Sequence, residues 1–389
     1  MINLQPPPRR LRANSALTGT PCLIVRTPAL STGPQICSQR LAAVQLHTSR
    51  GFDFLCFLGA RMSRTLITCA TLALAASAAV PAFAQTADQY PAKPIRLVIP
   101  FPPGGGTDIL SRVVANKLTE ATHWTVVPEN KAGAGGNIGA AEVARAKDDH
   151  TIGLMINGNM TIAKILNPAA PYDPLKDLAP LTLVGTSPLV LTAPVEQPGV
   201  PANADGKAFF AAAKLAGDKW SYGTPGIGTI GHLGTELLKA RSGINPLHIP
   251  YNSYPQVATA MGGGQLQMAM LPPALAQSQA QAGKIRLIGV TSSGRSPLAP
   301  DVPSMAELGI NLDLQMWNAF AAPVSMPEDI RNRLSNMLIE IARTPEVREK
   351  LFQQGWQMVG TSPQGLANRV KKDTEELSRL IKEQKISNQ

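Results

Sequence analysis

Beyond residue 85 this chain has no cysteine; Cys22, Cys37, Cys56 and Cys69 all precede it. The body can therefore form no disulfide, thiolate metal site or cysteine nucleophile. Charge is sparse at 16% and aromatics stand at 5%. The net charge of +10 is concentrated at the front, where eight arginines and one acid precede residue 85. That leaves 28 of the 36 basic and 25 of the 26 acidic residues for the rest, a near-neutral body that gives no support to nucleic-acid binding. There is no G-x-S-x-G elbow, no H-E-x-x-H and no Gly-Lys-Ser/Thr phosphate loop. His123, His150 and His248 are scattered without metal spacing, so no metal or cofactor is expected. After Gln85 no run has the length of a membrane span.

The front of the chain reads as something other than fold. Met62-Ser-Arg64 is a positive start, Leu66 to Val80 an apolar core, and Ala82-Phe-Ala84 an A-x-A cleavage site. Together they form a secretory signal peptide over 62–84, with export to the periplasm. Residues 1–61 are rich in Pro, Arg, Ser and Thr without a sustained period, and read as a disordered or mis-annotated leader. A precursor peptide upstream of Met62 would refute that reading.

What the body does have is glycine loops after apolar runs. Ile95 to Phe101 reads as a strand, Pro102 to Asp108 as a glycine loop, and Ile109 to Thr119 as a helix. Thr107 or Asp108 is placed to cap that helix. Free amides at a helix start attract an anion without any cationic side chain. The order repeats: strand Thr125–Val127, loop Asn130–Gly139, helix Ile138–Ala146; then strand Thr151–Ile156 and the turn Asn157-Gly158-Asn159. Alternating strands and helices predict a parallel sheet with all three loops at one edge, where such sheets bind ligands.

A strand over Leu181–Ala193, broken at Ser187-Pro188, predicts a crossing to a second domain. There the pattern recurs: helix Ala208–Ala216, strand Trp220–Gly223, loop Thr224–Thr229, helix Ile230–Ser242, and alternating elements to Thr291. The C-terminal part is helical. Ser325-x-x-Glu328 predicts a capping box, and Thr344-Pro345 and Ser362-Pro363 start two further helices. The last helix carries Leu366, Val370, Leu377, Leu380 and Ile381 near one face.

Each candidate has a bland reading. Asp108 is a possible general base, but an N-cap acid complementing the helix dipole is the favoured reading. His232, in the first turn after Thr229, reads as structural more readily than catalytic. Tyr251, Trp317 and Met270 serve equally as pocket wall or core.

The ordered series of motifs resembles the exported substrate-binding proteins of tripartite tricarboxylate transporters, the Bug family. It comprises Tyr90-Pro-x-Lys-Pro94, Ile99 to Asp108, Glu129-Asn130, Gly133 to Gly139, Pro171 to Asp177, Ser221 to Thr229, His232-Leu233, His248-x-Pro-Tyr251, Thr291-Ser292 and Asp301-Val-Pro303. The resemblance implies a two-domain α/β binding protein of the type II, Venus-flytrap kind, with a mostly parallel sheet in each domain. Domain 1 would comprise 85–187 with 292–389, and domain 2 would comprise 188–291. It implies a monomeric, non-enzymatic receptor that captures a small carboxylate and delivers it to membrane transporter subunits, or reports it to a sensor kinase. An exported hydrolase or isomerase using Asp108 and His232 is the remaining alternative. By motif, the ligand contacts would be Phe101, Gly105, Gly106, Thr107, Asn157, Gly158, Asn159, Ser187, Gly226, Thr229 and His232; Asp108 and Tyr251 complete the candidate site. The chain departs from the family at Asn252-Ser253 and at Gln265–Leu271, where charged residues are usual. That implies a less charged second wall and a bulkier or more apolar carboxylate.

Overall fold

The computed structural model describes residues 90–201 and 204–386. The leader over 1–61 and the signal peptide over 62–84 lie outside the described residues. Strand β1 (Ile95–Ile99) leads through the glycine loop into α1 (Gly106–Thr122), followed by β2 (Val126–Asn130). A 3-10 turn at Ala134–Gly136 precedes α2 (Asn137–Arg145) and β3 (Thr151–Ile156). Three short helices follow: α3 (Asn157–Thr161), α4 (Ala163–Leu166) and α5 (Pro174–Asp177). Then β4 (Leu178–Pro188) runs almost directly into β5 (Val190–Pro194).

The next stretch holds α6 (Gly206–Ala216), β6 (Ser221–Thr224), α7 (Ile230–Ser242), β7 (Leu247–Pro250) and α8 (Tyr254–Gly262). It continues with β8 (Met268–Leu271), α9 (Pro273–Gln281) and β9 (Ile285–Val290). The chain returns in β10 (Gln315–Pro323), then α10 (Glu328–Arg343), α11 (Pro345–Phe352), β11 (Gln357–Met358) and α12 (Pro363–Glu383).

Two sheets result, ordered β11-β4-β10-β3-β1-β2 and β7-β6-β8-β5-β9. Both are mixed, whereas mostly parallel sheets are expected from the sequence. Among the described strands, parallel pairing joins β1 to β2 and β3, and β6 to β7 and β8. The reason is the crossing: β4, β5 and β10 carry the chain between sheets, and β10 and β5 enter antiparallel to their neighbours. β10 had no counterpart in the sequence reading, yet it is central, between β3 and β4.

Thr291 fastens the two crossings together. Its hydroxyl accepts from the Leu189 amide at 2.9 Å and donates to the Leu314 carbonyl at 2.7 Å. The Trp317 indole is fully buried and donates to Asp373 Oδ2 at 2.7 Å, while Arg369 Nε donates to Asp373 Oδ1 at 2.8 Å. This network ties α12 to the first sheet, beside the apolar face of Leu366, Val370, Leu377, Leu380 and Ile381, all buried.

The expected capping box at Ser325 does not form. Pro327 is the N-cap of α10, no side chain caps it, and Ser325 Oγ donates instead to the Ala146 carbonyl at 3.2 Å. A tertiary acceptor outcompetes the local amide, leaving Glu328 and Asp329 to complement the helix dipole.

Candidate functional site

The glycine loop after β1 is held by Asp108. Its Oδ2 accepts from the Gly104 amide at 2.9 Å, and its Oδ1 accepts from Arg112 Nε and Asn130 Nδ2, each at 2.9 Å. Asn130 Nδ2 also donates to the Phe101 carbonyl at 2.9 Å. Both carboxylate oxygens are thus engaged behind the loop, and Asp108 lines neither cavity described below. Neither Thr107 nor Asp108 caps α1: the N-cap is Gly105, with no side-chain bond to the first turn. Thr107 Oγ1 instead accepts from Asn318 Nδ2 at 3.3 Å. The first-turn amides of a helix have no intrahelical acceptor, so the uncapped start of α1 offers its donors to whatever lies in front of it.

The three loops at the edge of the first sheet are neighbours, as the topology argument requires. Asn159 Nδ2 donates to the Gly135 carbonyl at 3.1 Å and to Asn137 Oδ1 at 2.9 Å. The Tyr172 hydroxyl donates toward the Asn159 carbonyl at 2.9 Å. Residues 157–161, expected as a turn, form a short helix, with Asn157 Oδ1 accepting from the Trp317 amide at 2.8 Å.

From the second sheet comes the loop between β6 and α7. Thr229 is the N-cap of α7 by position, but its hydroxyl turns back and donates to the Gly226 carbonyl at 2.7 Å. His232 Nδ1 accepts from the Gly228 amide at 3.3 Å, and its ring stacks on His248 at 4.4 Å. Burial lowers the His232 pKa and pushes that of His248 down to about 3, with the neighbouring His232 and Lys239 adding to the second shift. Both rings are neutral near pH 7, as the acceptor role of Nδ1 demands. His232 shapes the loop from behind and lines neither cavity.

The two sets of loops meet lip to lip. A Cβ on Gly158 would fall 2.2 Å from the Gly228 carbonyl oxygen, and one on Gly135 would fall 2.5 Å from the Ile227 carbonyl oxygen. Only glycine permits backbone to approach backbone this closely. Two cavities lie beside the contact.

The inner one, about 50 Å³, is lined by the start of α1 (Gly105, Gly106, Thr107), Asn157, Thr229 and Asn318, with apolar walls from Trp356, Met316, Tyr254 and Pro272. The outer one, about 540 Å³, is lined by the Gly133–Ile138 segment, Gly158, Asn159, Gly226, Ile227 and Tyr251. Phe101 and Pro225 line both. Among the described residues no Lys, Arg, His, Asp or Glu lines either. Among the described residues no cluster of His, Cys, Asp or Glu is placed to hold a metal ion, and no helix is long and apolar enough to cross a membrane.

Of the candidates, Phe101, Gly105, Gly106, Thr107, Asn157, Gly158, Asn159, Gly226, Thr229 and Tyr251 line a cavity. Ser187 is buried on β4 with its hydroxyl donating to the Pro188 carbonyl at 3.0 Å, and lines neither. Trp317 and Met270, the other possible wall residues, are core. Trp356, Met316, Asn318 and Tyr254 escaped sequence reasoning. Only Asn318 carried a signal, a polar residue inside the apolar run Met316–Ala322.

A sequence model of the family "Tripartite tricarboxylate transporter family receptor" matches residues 110–386. The chain belongs to that family. BugT of Bordetella pertussis is 34% identical over 306 residues, 78% of this chain and 91% of BugT. The solved periplasmic binding protein BugD aligns at 30% identity with a TM-score of 0.71, over 77% of this chain and all of BugD. A Rhodopseudomonas palustris protein solved with adipate aligns at 26% identity and a TM-score of 0.72, over 77% of this chain and 99% of that one. The two-sheet α/β architecture of this receptor is thus the type II periplasmic-binding-protein fold.

Proposed function

We propose that this receptor captures a small carboxylate between its two sheets, closes over it, and presents the closed form to the membrane subunits of a tripartite transporter. The observation that carries the reading is the uncapped start of α1, facing a cavity roofed by the opposing loop. A helix N-terminus supplies about half a unit of positive charge and free amide donors, enough to hold one carboxylate without a cationic side chain. The related protein solved with adipate supports a carboxylate as the ligand class.

Capture is by closure about the paired crossings β4–β5 and β9–β10, which Thr291 fastens. The proposed hinge divides the chain near Ser187 and Thr291, as the sequence reading has it. Among the described residues no Lys, Arg, His, Asp or Glu lines the cavities to activate their Ser, Thr or Tyr hydroxyls, which supports binding and release of an unchanged ligand rather than turnover. The A-x-A sequence at Ala82–Ala84 supports export to the periplasm.

The test is thermal unfolding of Gln85–Gln389, refolded to strip ligand, against carboxylates and their neutral amides. At 100 times its Kd a ligand adds about 2.7 kcal/mol, or roughly 5–10 °C. A shift by an acid, not by its amide, with the acid recovered intact, supports the reading; shifts by neutral compounds alone defeat it.

A further inference from the structure

We infer that the preferred ligand of this site is a monocarboxylate with a ring-sized apolar body, its head group in the inner cavity and its body in the outer one. The inference rests on the carboxylate-receptor reading above and narrows it. Three observations carry it.

The first is charge balance. The linings of both cavities contain no ionisable acid or base among the described residues other than tyrosine. The start of α1 balances one carboxylate. A second carboxylate held inside the exposed Ile138 rim of the outer cavity would be desolvated without a counter-charge, which disfavours its burial.

The second is the one-ended placement of donors. The amides of the first turn of α1 and the Thr107 hydroxyl, fixed by Asn318, stand together on the first-sheet side, where the Trp356 indole nitrogen lies 3.4 Å from where a Cβ on Gly106 would sit. Opposite them, the Thr229 hydroxyl hydrogen is committed to Gly226. The Tyr254 hydroxyl packs against Gly231 and covers the first turn of α7. What α7 and its neighbours present to the cavity is chiefly Ile230, Tyr254, Pro255 and Pro272, with the Ser253 hydroxyl as the one further polar group beside Thr229.

The third is volume. The inner cavity, at about 50 Å³, has room for a few waters or one carboxylate. The outer cavity is about 540 Å³, adjoins it across Phe101 and Pro225, and sets Ile138, Ile162, Leu166 and Ile227 among the uncharged polar side chains of Asn137, Asn159, Asn167, Asn252 and Gln256. A ring attached to the carboxylate would pass between Phe101 and Pro225 into that space.

The experiment is calorimetric titration of Gln85–Gln389 with benzoate, phenylacetate and cyclohexanecarboxylate, alongside malate, adipate and the neutral amides of the ring acids. The inference expects at least one ring acid to bind about tenfold or more tighter than either dicarboxylate. If malate or adipate binds tighter than every ring acid, the inference fails while the carboxylate-receptor reading survives. If the amides bind as well as the acids, both fail. If no ring acid binds, the inference fails. Ile138→Lys places a cation at the exposed rim of the outer cavity. It should move the ring-acid to dicarboxylate ratio toward dicarboxylates by about tenfold. An unchanged ratio, with the variant folded as judged by its melting temperature, would show that the ligand body does not reach that cavity.

Discussion

Gly158→Ala is the sharpest perturbation of the closed site. Gly158 sits in α3 without a positive φ, so alanine suits its backbone and should favour the helix by about 0.5–1 kcal/mol. The obstacle is entirely across the cleft, where the added carbon would stand 2.2 Å from the Gly228 carbonyl oxygen. A comfortable carbon–oxygen contact is about 3.3 Å, so the two lips must part by about 1 Å or deform. Overpacking of this kind costs about 1–3 kcal/mol. The open form escapes that cost, so it falls on ligand capture: Kd should rise by roughly 5- to 150-fold while the ligand-free melting temperature holds or rises slightly. Gly294→Ala is the control, since a Cβ there meets nothing within 4 Å and its φ is not positive. Calorimetric titration with the best carboxylate, paired with thermal unfolding of the free protein, reads both quantities. An unchanged Kd would mean that the lips do not meet around the ligand. A ligand-free protein destabilised by the same amount would mean that the contact belongs to the fold rather than to closure.

Three further outcomes are expected. Thr229→Val removes the shortest hydrogen bond to the buried Gly226 carbonyl, leaving the longer ones from Thr224 Oγ1 at 3.3 Å and the residue-229 amide at 3.4 Å, and should weaken binding by about 0.5–1.5 kcal/mol, whereas Thr229→Ser should retain most of the affinity; equal affinities for all three proteins would contradict the loop role. The depressed pKa of His248 means the unfolded chain takes up a proton more readily than the folded one. Stability should therefore be complete above about pH 6.5 and fall as pH drops from there toward 3, by at most about 1.4 kcal/mol per unit. Denaturant titrations of wild type and His248→Asn check this, and identical profiles would count against it. Asp373→Ala leaves the Trp317 indole nitrogen buried without its acceptor and Arg369 without its partner; a loss of about 2–4 kcal/mol is expected in urea unfolding, and a change under 0.5 kcal/mol would be inconsistent with the network.

Local signals in the chain located most elements, but not the partners that give side chains their roles. Ile230–Ser242 is a helix with the boundaries its periodicity indicates, and Thr151–Ile156 is a strand with the expected limits. The glycine loops were legible because glycine marks positions where backbone must pass close to something. β10 was not legible. Gln315–Pro323 is buried on both faces, so it shows no alternation, and it contains no β-branched residue. Asp108 was legible as an acid near a helix start, yet its work depends on Asn130 and Arg112, 22 residues and one turn away respectively. His232 stood out beside a glycine loop, and only the stacking on His248 shows that it props that loop from behind. Trp356 reaches the cavity from the far end of the chain, a juxtaposition created by the crossing of β10 and the return of α11.

The most direct measurement is a structure of Gln85–Gln389 saturated with its tightest carboxylate. The account predicts the head group within hydrogen-bond distance of the Gly106 and Thr107 amides, under the closed Gly158–Gly228 contact. A carboxylate paired with a lysine or arginine, or bound away from the start of α1, would contradict it.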